Sequence, residues 1–201
     1  MHPPWFMGHI EWLEVILFVL FSIVIVVLLT QCRLRTYKNP TLSLKSSPPG
    51  RNRHWRSIPE IQLLVLALPL ELLWEVAQFP LYTVWHEGDW SYILYGLVHC
   101  TLGDLIILLI AYWIVALLNR DRHWYLNTVL PNGALFMVLG IIYTIYSEIS
   151  NVRIKGTWDY TELMPVMPVL DIGAMPFLQW LLIPPVLLWL MRLLTLAPVR
   201  S

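Results

Sequence analysis

Apolar stretches of about 20 residues alternate with shorter polar segments along this chain. A helix needs about 20 mostly apolar residues to cross a hydrocarbon layer of about 30 Å. Five stretches meet this requirement, at residues 10–30, 58–82, 92–118, 130–150 and 175–194. They are too long and too continuous for the alternating strands of a barrel. The pattern predicts an all-α, polytopic membrane protein with five transmembrane helices.

Polar residues interrupt these stretches unevenly. The first stretch is broken in its centre only by Ser22, whereas the second contains Glu71, Glu75 and Gln78. Polar side chains at spacings of three and four share one face of a helix, and that face must be turned away from lipid. The last four spans are therefore expected to pack together as a bundle.

Composition supports the same class and excludes others. The chain is 58% hydrophobic and 13% charged, whereas soluble domains carry about 25% charged residues. Its formal net charge is zero, which argues against nucleic acid as a partner. It has no GxSxG, no HExxH and no glycine-rich phosphate or dinucleotide loop. The cofactor is unknown at this level, and no residue is assigned as a metal ligand.

Basic residues set the expected orientation. All but two of the 13 Lys and Arg residues fall on one side of the predicted spans, the exceptions being Arg153 and Lys155. The positive-inside rule places the basic side in the cytoplasm and the N-terminus outside. We expect a multi-pass protein of the bacterial inner membrane.

Three segments are expected from this layout. Residues 1–31 are predicted as an N-terminal transmembrane anchor, residues 32–57 as a basic cytoplasmic linker, and residues 58–201 as a four-helix transmembrane domain. Within that domain the outer loop 152–174 is rich in aromatic and apolar residues, and its prolines forbid a regular helix. We interpret this loop as a lid.

Acidic side chains gather in the outer half of the predicted bundle. An ionised carboxylate in a bilayer costs several kcal/mol, so such groups pair, become protonated, hold a cation or face water. The sequence leaves these outcomes open. The predicted catalytic or charged site residues are Glu71, Glu75, His99, Asp104 and Glu148, and the predicted ligand-binding residues are Trp74, Gln78, Tyr82, Asn151 and Trp158.

His99 is expected to be the partner of Glu75. His99 and Asp104 lie five residues apart, about 140° around a helix, so they do not form an obvious dyad. Counting equal helical rises along both helices from the turn between the second and third spans brings His99 to about the level of Glu75 instead. A carboxylate beside an imidazole forms an acid/base pair or half of a metal site.

Two motifs resemble a known family. Glu75-Val-Ala-Gln78-Phe-Pro80, followed by Tyr95-Gly-Leu-Val-His99-Cys-Thr, is similar to the four-helix EXPERA membrane domain, which includes the sterol isomerase and the sigma-2 receptor. The resemblance covers residues 58–194 and leaves the first helix as an addition. It implies that membrane-embedded acids, Glu75 first, bind a cationic amine or protonate a double bond. Here Gln follows Glu by three positions, where the family has four.

The chain also resembles a group of bacterial multi-pass membrane proteins. The shared segments are Trp-Glu followed by Gln-x-Pro, His-Cys-Thr-Leu-Gly-Asp, and Leu-Gln-Trp-Leu. This likeness implies a membrane protein and no particular activity.

Three functions remain open from the sequence. The first is an acidic, outward-opening intramembrane site for a hydrophobic or cationic small molecule, with acid/base catalysis on a lipid-like substrate as an extension. The second is a transporter or metal-handling protein that uses the same acids. The third is a structural or assembly subunit of a membrane complex. Whether the protein is an enzyme is undecided at this level.

Overall fold

The computed structural model describes residues 58–196 of the chain. This part contains four helical segments that are long and apolar enough to cross a membrane, Pro59–Leu81, Trp90–Asn119, Val129–Lys155 and Ala174–Leu196. They match the last four predicted spans. The predicted first span, the linker that follows it and the placement of the N-terminus lie outside the described residues.

Short helical turns connect the long helices. In chain order the elements are α1 (Pro59–Gln78), a 3-10 turn (Phe79–Leu81), α2 (Val84–Glu87), α3 (Trp90–Asn119), α4 (Trp124–Asn127), α5 (Val129–Glu148), a π-helix (Ile149–Lys155) and α6 (Ala174–Leu196).

Helix ends are set by local backbone chemistry. Pro59 begins α1 at a position where its missing N–H costs nothing. Arg120 takes a left-handed conformation (φ 53°) that stops α3, and the next N–H, from Asp121, reaches back to the carbonyl of Ala116 at 3.1 Å. Gly156 (φ 60°) ends the π-helix in the same way.

The four long helices form a closed ring in which α1 packs on α3 and α6, and α5 packs on the same two helices. Small residues bring the backbones close. A Cβ on Gly140 of α5 would lie 1.9 Å from the indole ring of Trp180 on α6, and one on Gly96 of α3 would lie 2.8 Å from the ring of Phe79. Such close approach is typical of helix packing in membranes.

Burial along α1 is inverted relative to a soluble protein. Glu71, Glu75 and Gln78 are buried, whereas Leu73 is 69% exposed and Val65 is 50% exposed. A helix that hides acids and exposes leucine and valine is stable only where the surrounding solvent is hydrocarbon. The described bundle is therefore that of a multi-pass membrane protein.

One end of the bundle, which we call the Arg122 end, is closed by paired polar groups. Arg122 donates two hydrogen bonds to the carboxylate of Glu60 on α1, at 2.9 and 2.5 Å. Fully buried Gln62 donates to the Met191 carbonyl at 3.1 Å and accepts from the Thr195 hydroxyl at 3.1 Å. Charges and amides here have partners on α1, on α6 and in the segment that follows α3.

The opposite end, the lid end, carries the loop 156–173. Its backbone pairs with the residues that follow α1. The N–H of Thr83 donates to the Asp159 carbonyl and that of Thr161 to the Leu81 carbonyl, both at 2.9 Å. Arg153 holds the far side of the loop through Asp171 at 2.5 Å. The predicted lid was expected to begin at Val152, but residues 152–155 belong to the π-helix.

Candidate functional site

Three carboxyl groups and one amide meet inside the bundle. Glu71 and Glu75 come from α1, Asp104 from α3 and Gln179 from α6; we call these four residues the acid cluster. The Gln179 amide nitrogen donates to Glu71 Oε2 at 2.7 Å and to Asp104 Oδ2 at 2.9 Å. Both N–H groups of this amide are thereby used, and α1, α3 and α6 are joined at one point.

The carboxyl groups of Glu75 and Asp104 lie close enough to hydrogen-bond to each other. An ionised carboxylate is only an acceptor, so two carboxyls bond in this way only when one carries a proton. The pair is held between α1 and α3, and the Glu75 side chain has 3% of its surface exposed. At this contact the two carboxyls can share a proton.

A chain of hydrogen bonds leads from Glu75 to the edge of the bundle. Gln78 donates to Glu75 Oε1 at 2.7 Å, and the indole N–H of Trp74 donates to Gln78 Oε1 at 2.9 Å. Trp74, Glu75 and Gln78 lie within one turn of α1. The predicted ligand-binding residues Trp74 and Gln78 are thus joined to the acid cluster directly.

Glu148 lies at the end of α5 and belongs to a second layer, nearer the lid. It is buried and accepts a hydrogen bond from the hydroxyl of Tyr160 in the loop. Burial and the neighbouring Glu148 raise the pKa of Tyr160 above its usual value. Burial, followed by the charges of Glu148 and Glu75, raises the pKa of Tyr82. Both tyrosines therefore remain neutral hydrogen-bond donors in this layer.

Aromatic rings cover this second layer. The ring of Tyr82 lies 5.7 Å from that of Tyr160 and 6.3 Å from that of Trp158, the latter edge-on. Among the described residues, the buried indole N–H of Trp158 has no hydrogen-bond partner. A buried donor without a partner is costly, so Trp158 offers a donor that a ligand could use.

The acid cluster contains three carboxyl groups and one amide but no basic side chain. Within residues 58–196 two ion pairs are formed, Arg122 with Glu60 and Arg153 with Asp171, and both lie at the ends of the bundle. The same residues contain no group of three or more His, Cys, Asp or Glu arranged to hold a metal ion. Within the described residues, a proton or an organic cation would supply the missing positive charge.

His99 does not meet Glu75, contrary to the sequence expectation. Its ring stacks on Tyr95 of its own helix, with 5.4 Å between centroids, while the hydrogen bonds of Glu75 go to Gln78 and Asp104. The face of α3 that was expected to meet Glu75 was therefore wrong. Because His99 and Asp104 lie about 140° apart on a helix, turning Asp104 inward turns His99 away.

Asn151 was predicted to bind ligand, but its polar groups are used locally. The side-chain amide donates to the carbonyl of Ser147 at 2.9 Å and to its hydroxyl at 3.2 Å. The backbone carbonyl of Asn151 accepts from the N–H of Thr157 at 2.8 Å. These bonds support the π-helix that joins α5 to the loop, which is a structural role.

Two site residues were missed by the sequence analysis, Gln179 and Tyr160. Gln179 is a polar side chain among apolar neighbours in the first half of the last span, and such residues point into a bundle. That signal was available. Tyr160 is one of several aromatic residues in the loop, and nothing in the sequence marks it as the partner of Glu148.

A groove of about 320 Å³ opens between α1 and α6, beside the acid cluster. Apolar side chains line it: Leu70, Leu73, Trp74, Ala77, Leu182, Ile183 and Val186. Leu73 and Leu182 are exposed, so the groove opens onto the lipid-facing surface. Trp74 lies in the groove wall and donates to Gln78, which donates to Glu75, so two hydrogen bonds connect the groove wall to the acid cluster.

Fold and site together define a multi-pass helical membrane protein with a buried cluster of acids in its core. Comparison of the chain with protein-family models, with curated proteins and with solved structures finds no match. Function is therefore inferred from the geometry of the site.

Proposed function

We propose that the bundle binds a hydrophobic small molecule with a cationic or proton-accepting group, and that the acid cluster is its binding site. The observation that carries the proposal is the contact of Glu75 with Asp104, in a cluster that also holds Glu71 and no basic residue. A buried carboxyl pair retains a proton or exchanges it for another cation. The EXPERA resemblance implies the same class of ligand.

The apolar groove supports the hydrophobic part of the ligand. A molecule lying in the groove against Leu73 and Leu182 would place its polar end next to Trp74. From there the hydrogen bonds through Gln78 lead to Glu75. An amphiphile that enters laterally from the bilayer would match both the apolar groove and the polar side chains that lead to Glu75.

Acid/base chemistry is the finer part of the proposal. A lipid-like substrate with a carbon–carbon double bond would accept the shared proton from Glu75, and the resulting cation would lose a different proton to the Asp104 carboxylate. One proton enters and one leaves, so the product is an isomer and the cluster is restored. The bacterial inner membrane remains the proposed location.

Binding can be tested on the protein in lipid nanodiscs. A radiolabelled long-chain tertiary amine, protonated at neutral pH, should be retained by protein-containing discs and not by empty discs, and the alcohol with the same chain should be retained far less. Glu75→Gln should weaken amine binding at least about 30-fold, since loss of one partner of a buried charged contact costs about 2 kcal/mol or more.

Glu60→Gln is the matched control, because it makes the same change on the same helix at the Arg122 end. It should leave amine binding unchanged. Equal binding of amine and alcohol, or wild-type affinity in Glu75→Gln, would refute the proposal.

The acid/base step has its own test. Purified protein incubated with a membrane lipid extract in heavy water should introduce one deuterium into an unsaturated lipid, detectable by mass spectrometry, and Glu75→Gln should not. If the amine binds and no deuterium is incorporated, the site binds its ligand without catalysis.

A further inference from the structure

Each carboxyl of the acid cluster accepts a hydrogen bond from an amide. Gln179 donates to Glu71 and Asp104, and Gln78 donates to Glu75. An oxygen that accepts an amide N–H is a poor position for a proton, because the two hydrogens would face each other. On each carboxyl one oxygen remains on which a proton can sit.

Other titratable groups surround the cluster from every packed element. Glu148 comes from α5, Tyr82 follows α1, and Cys100 lies one turn before Asp104 on α3. None of these provides a positive charge. Gln179 is the contribution of α6, and it is the group that joins Glu71 to Asp104 across the bundle.

We propose that Gln179 is a positioning residue that fixes the site of the shared proton. By donating to Glu71 and Asp104 at once, its amide stabilises both as acceptors and confines the proton to the contact between Glu75 and Asp104. The amide carries no charge and has no proton to exchange, so it acts only through the two carboxyls that it holds. The inference deepens the proposed function, since it concerns the same site, but it needs no ligand.

Replacing Gln179 with methionine should change the number of protons in the cluster. Methionine has a similar length and no donor, so Glu71 and Asp104 would lose their common stabilisation and one of them would take up a second proton. Infrared spectroscopy of the ligand-free protein in nanodiscs should show added absorption from protonated carboxyls, relative to wild type. Labelling glutamate at its carboxyl carbon would identify the residue that gains the proton.

Gln62→Met is the matched control. Gln62 is also a fully buried glutamine, and its hydrogen bonds go to the Met191 carbonyl and to the hydroxyls of Thr195 and Tyr125. The Gln62→Met variant should lose stability as Gln179→Met does, but its carboxyl absorption should stay at the wild-type level. A merely structural role for Gln179 predicts the same outcome for both variants.

A conservative variant guards against a folding defect. Gln179→Asn retains the amide on a shorter side chain, which can reach one of the two carboxyls, and its spectrum should lie between those of wild type and Gln179→Met. Unchanged carboxyl absorption in both Gln179 variants, with helical content intact by circular dichroism, would overturn the inference. Because no amine is present, this result is independent of whether the amine binds.

Discussion

Two regions of the bundle, the Arg122 end and the acid cluster, satisfy their buried polar groups in different ways. At the Arg122 end the carboxylate of Glu60 has a guanidinium partner, and the amide of Gln62 is bonded to a carbonyl and a hydroxyl. In the acid cluster the carboxyls have only amides and one another. A neutralised pair holds the helices together. A cluster with more acids than bases can still bind a proton or another cation. The difference separates a region whose polar groups are paired from the region that we propose binds a ligand.

The largest expected effect comes from breaking the acid cluster on α3. Asp104→Ala removes the carboxyl that contacts Glu75 and leaves one N–H of Gln179 without an acceptor. Amine affinity in nanodiscs should fall about 30-fold or more, as for other buried charged contacts that lose one partner. Asp121→Ala makes the same change at the Arg122 end, where the acid only accepts the N–H of His123 at 2.7 Å, and should have no effect. Equal losses in both variants would erase the distinction between the two regions.

The next effect tests the packing that holds Gln179 in place. Gly140→Ala would push a methyl group into the ring of Trp180, the neighbour of Gln179. Overpacking of this kind costs about 1–3 kcal/mol, and thermal unfolding in detergent should report it. Gly103→Ala, with no atom within 4 Å of the added methyl, should be neutral or slightly stabilising, since alanine favours helix. A destabilised Gly103→Ala would contradict this packing.

A smaller effect is expected from opening the Arg122 end. Arg122→Gln loses the ion pair to Glu60. The side chain of Arg122 is 43% exposed in this pair. A partly exposed pair contributes about 0.5–1 kcal/mol, and salt screens it. Unfolding measured at low and high salt should show a deficit that shrinks with salt, while amine binding stays as in wild type. If binding falls as well, the two regions are coupled.

At neutral pH the smallest effect is expected in the lid. The raised pKa of Tyr160 means that the folded protein keeps this proton where the unfolded chain has lost it. Its contribution to stability is therefore complete below about pH 10, the ordinary tyrosine value, and is lost as pH rises further. Tyr160→Phe should show a less steep loss of stability above that pH. An identical slope in the two proteins would count against the buried bond to Glu148.

The spans were predictable from sequence because length and apolar content are local properties. The predicted span 58–82 corresponds to Pro59–Leu81, and 175–194 to Ala174–Leu196. The fourth span was underestimated, since the π-helix carries it on to Lys155. Residues 152–155 were assigned to the loop because a π-helix has no sequence signature comparable to a cap or an apolar run.

The site was predictable only in part. Glu71 and Glu75 share a face of one helix by their spacing, so their joint burial could be expected from the sequence. Which face of α3 meets them could not, because helix rotation is decided by packing contacts such as Gly96 against Phe79. That is why Asp104, and not His99, is the partner of Glu75. Gln179 comes from a third helix, whose register relative to α1 no local pattern encodes.

The long separation between Glu71 and its amide partner bears on how the protein is made. Gln179 follows Glu71 by 108 positions, so α1 leaves the ribosome well before α6 exists. An acid near the centre of a membrane helix costs about 2.5–3.5 kcal/mol on the insertion scale, and α1 carries two. This helix gains its partners only as α3 and then α6 arrive. The order of synthesis therefore makes α6 the segment that completes assembly, and truncation before Gln179 should leave α1 poorly inserted.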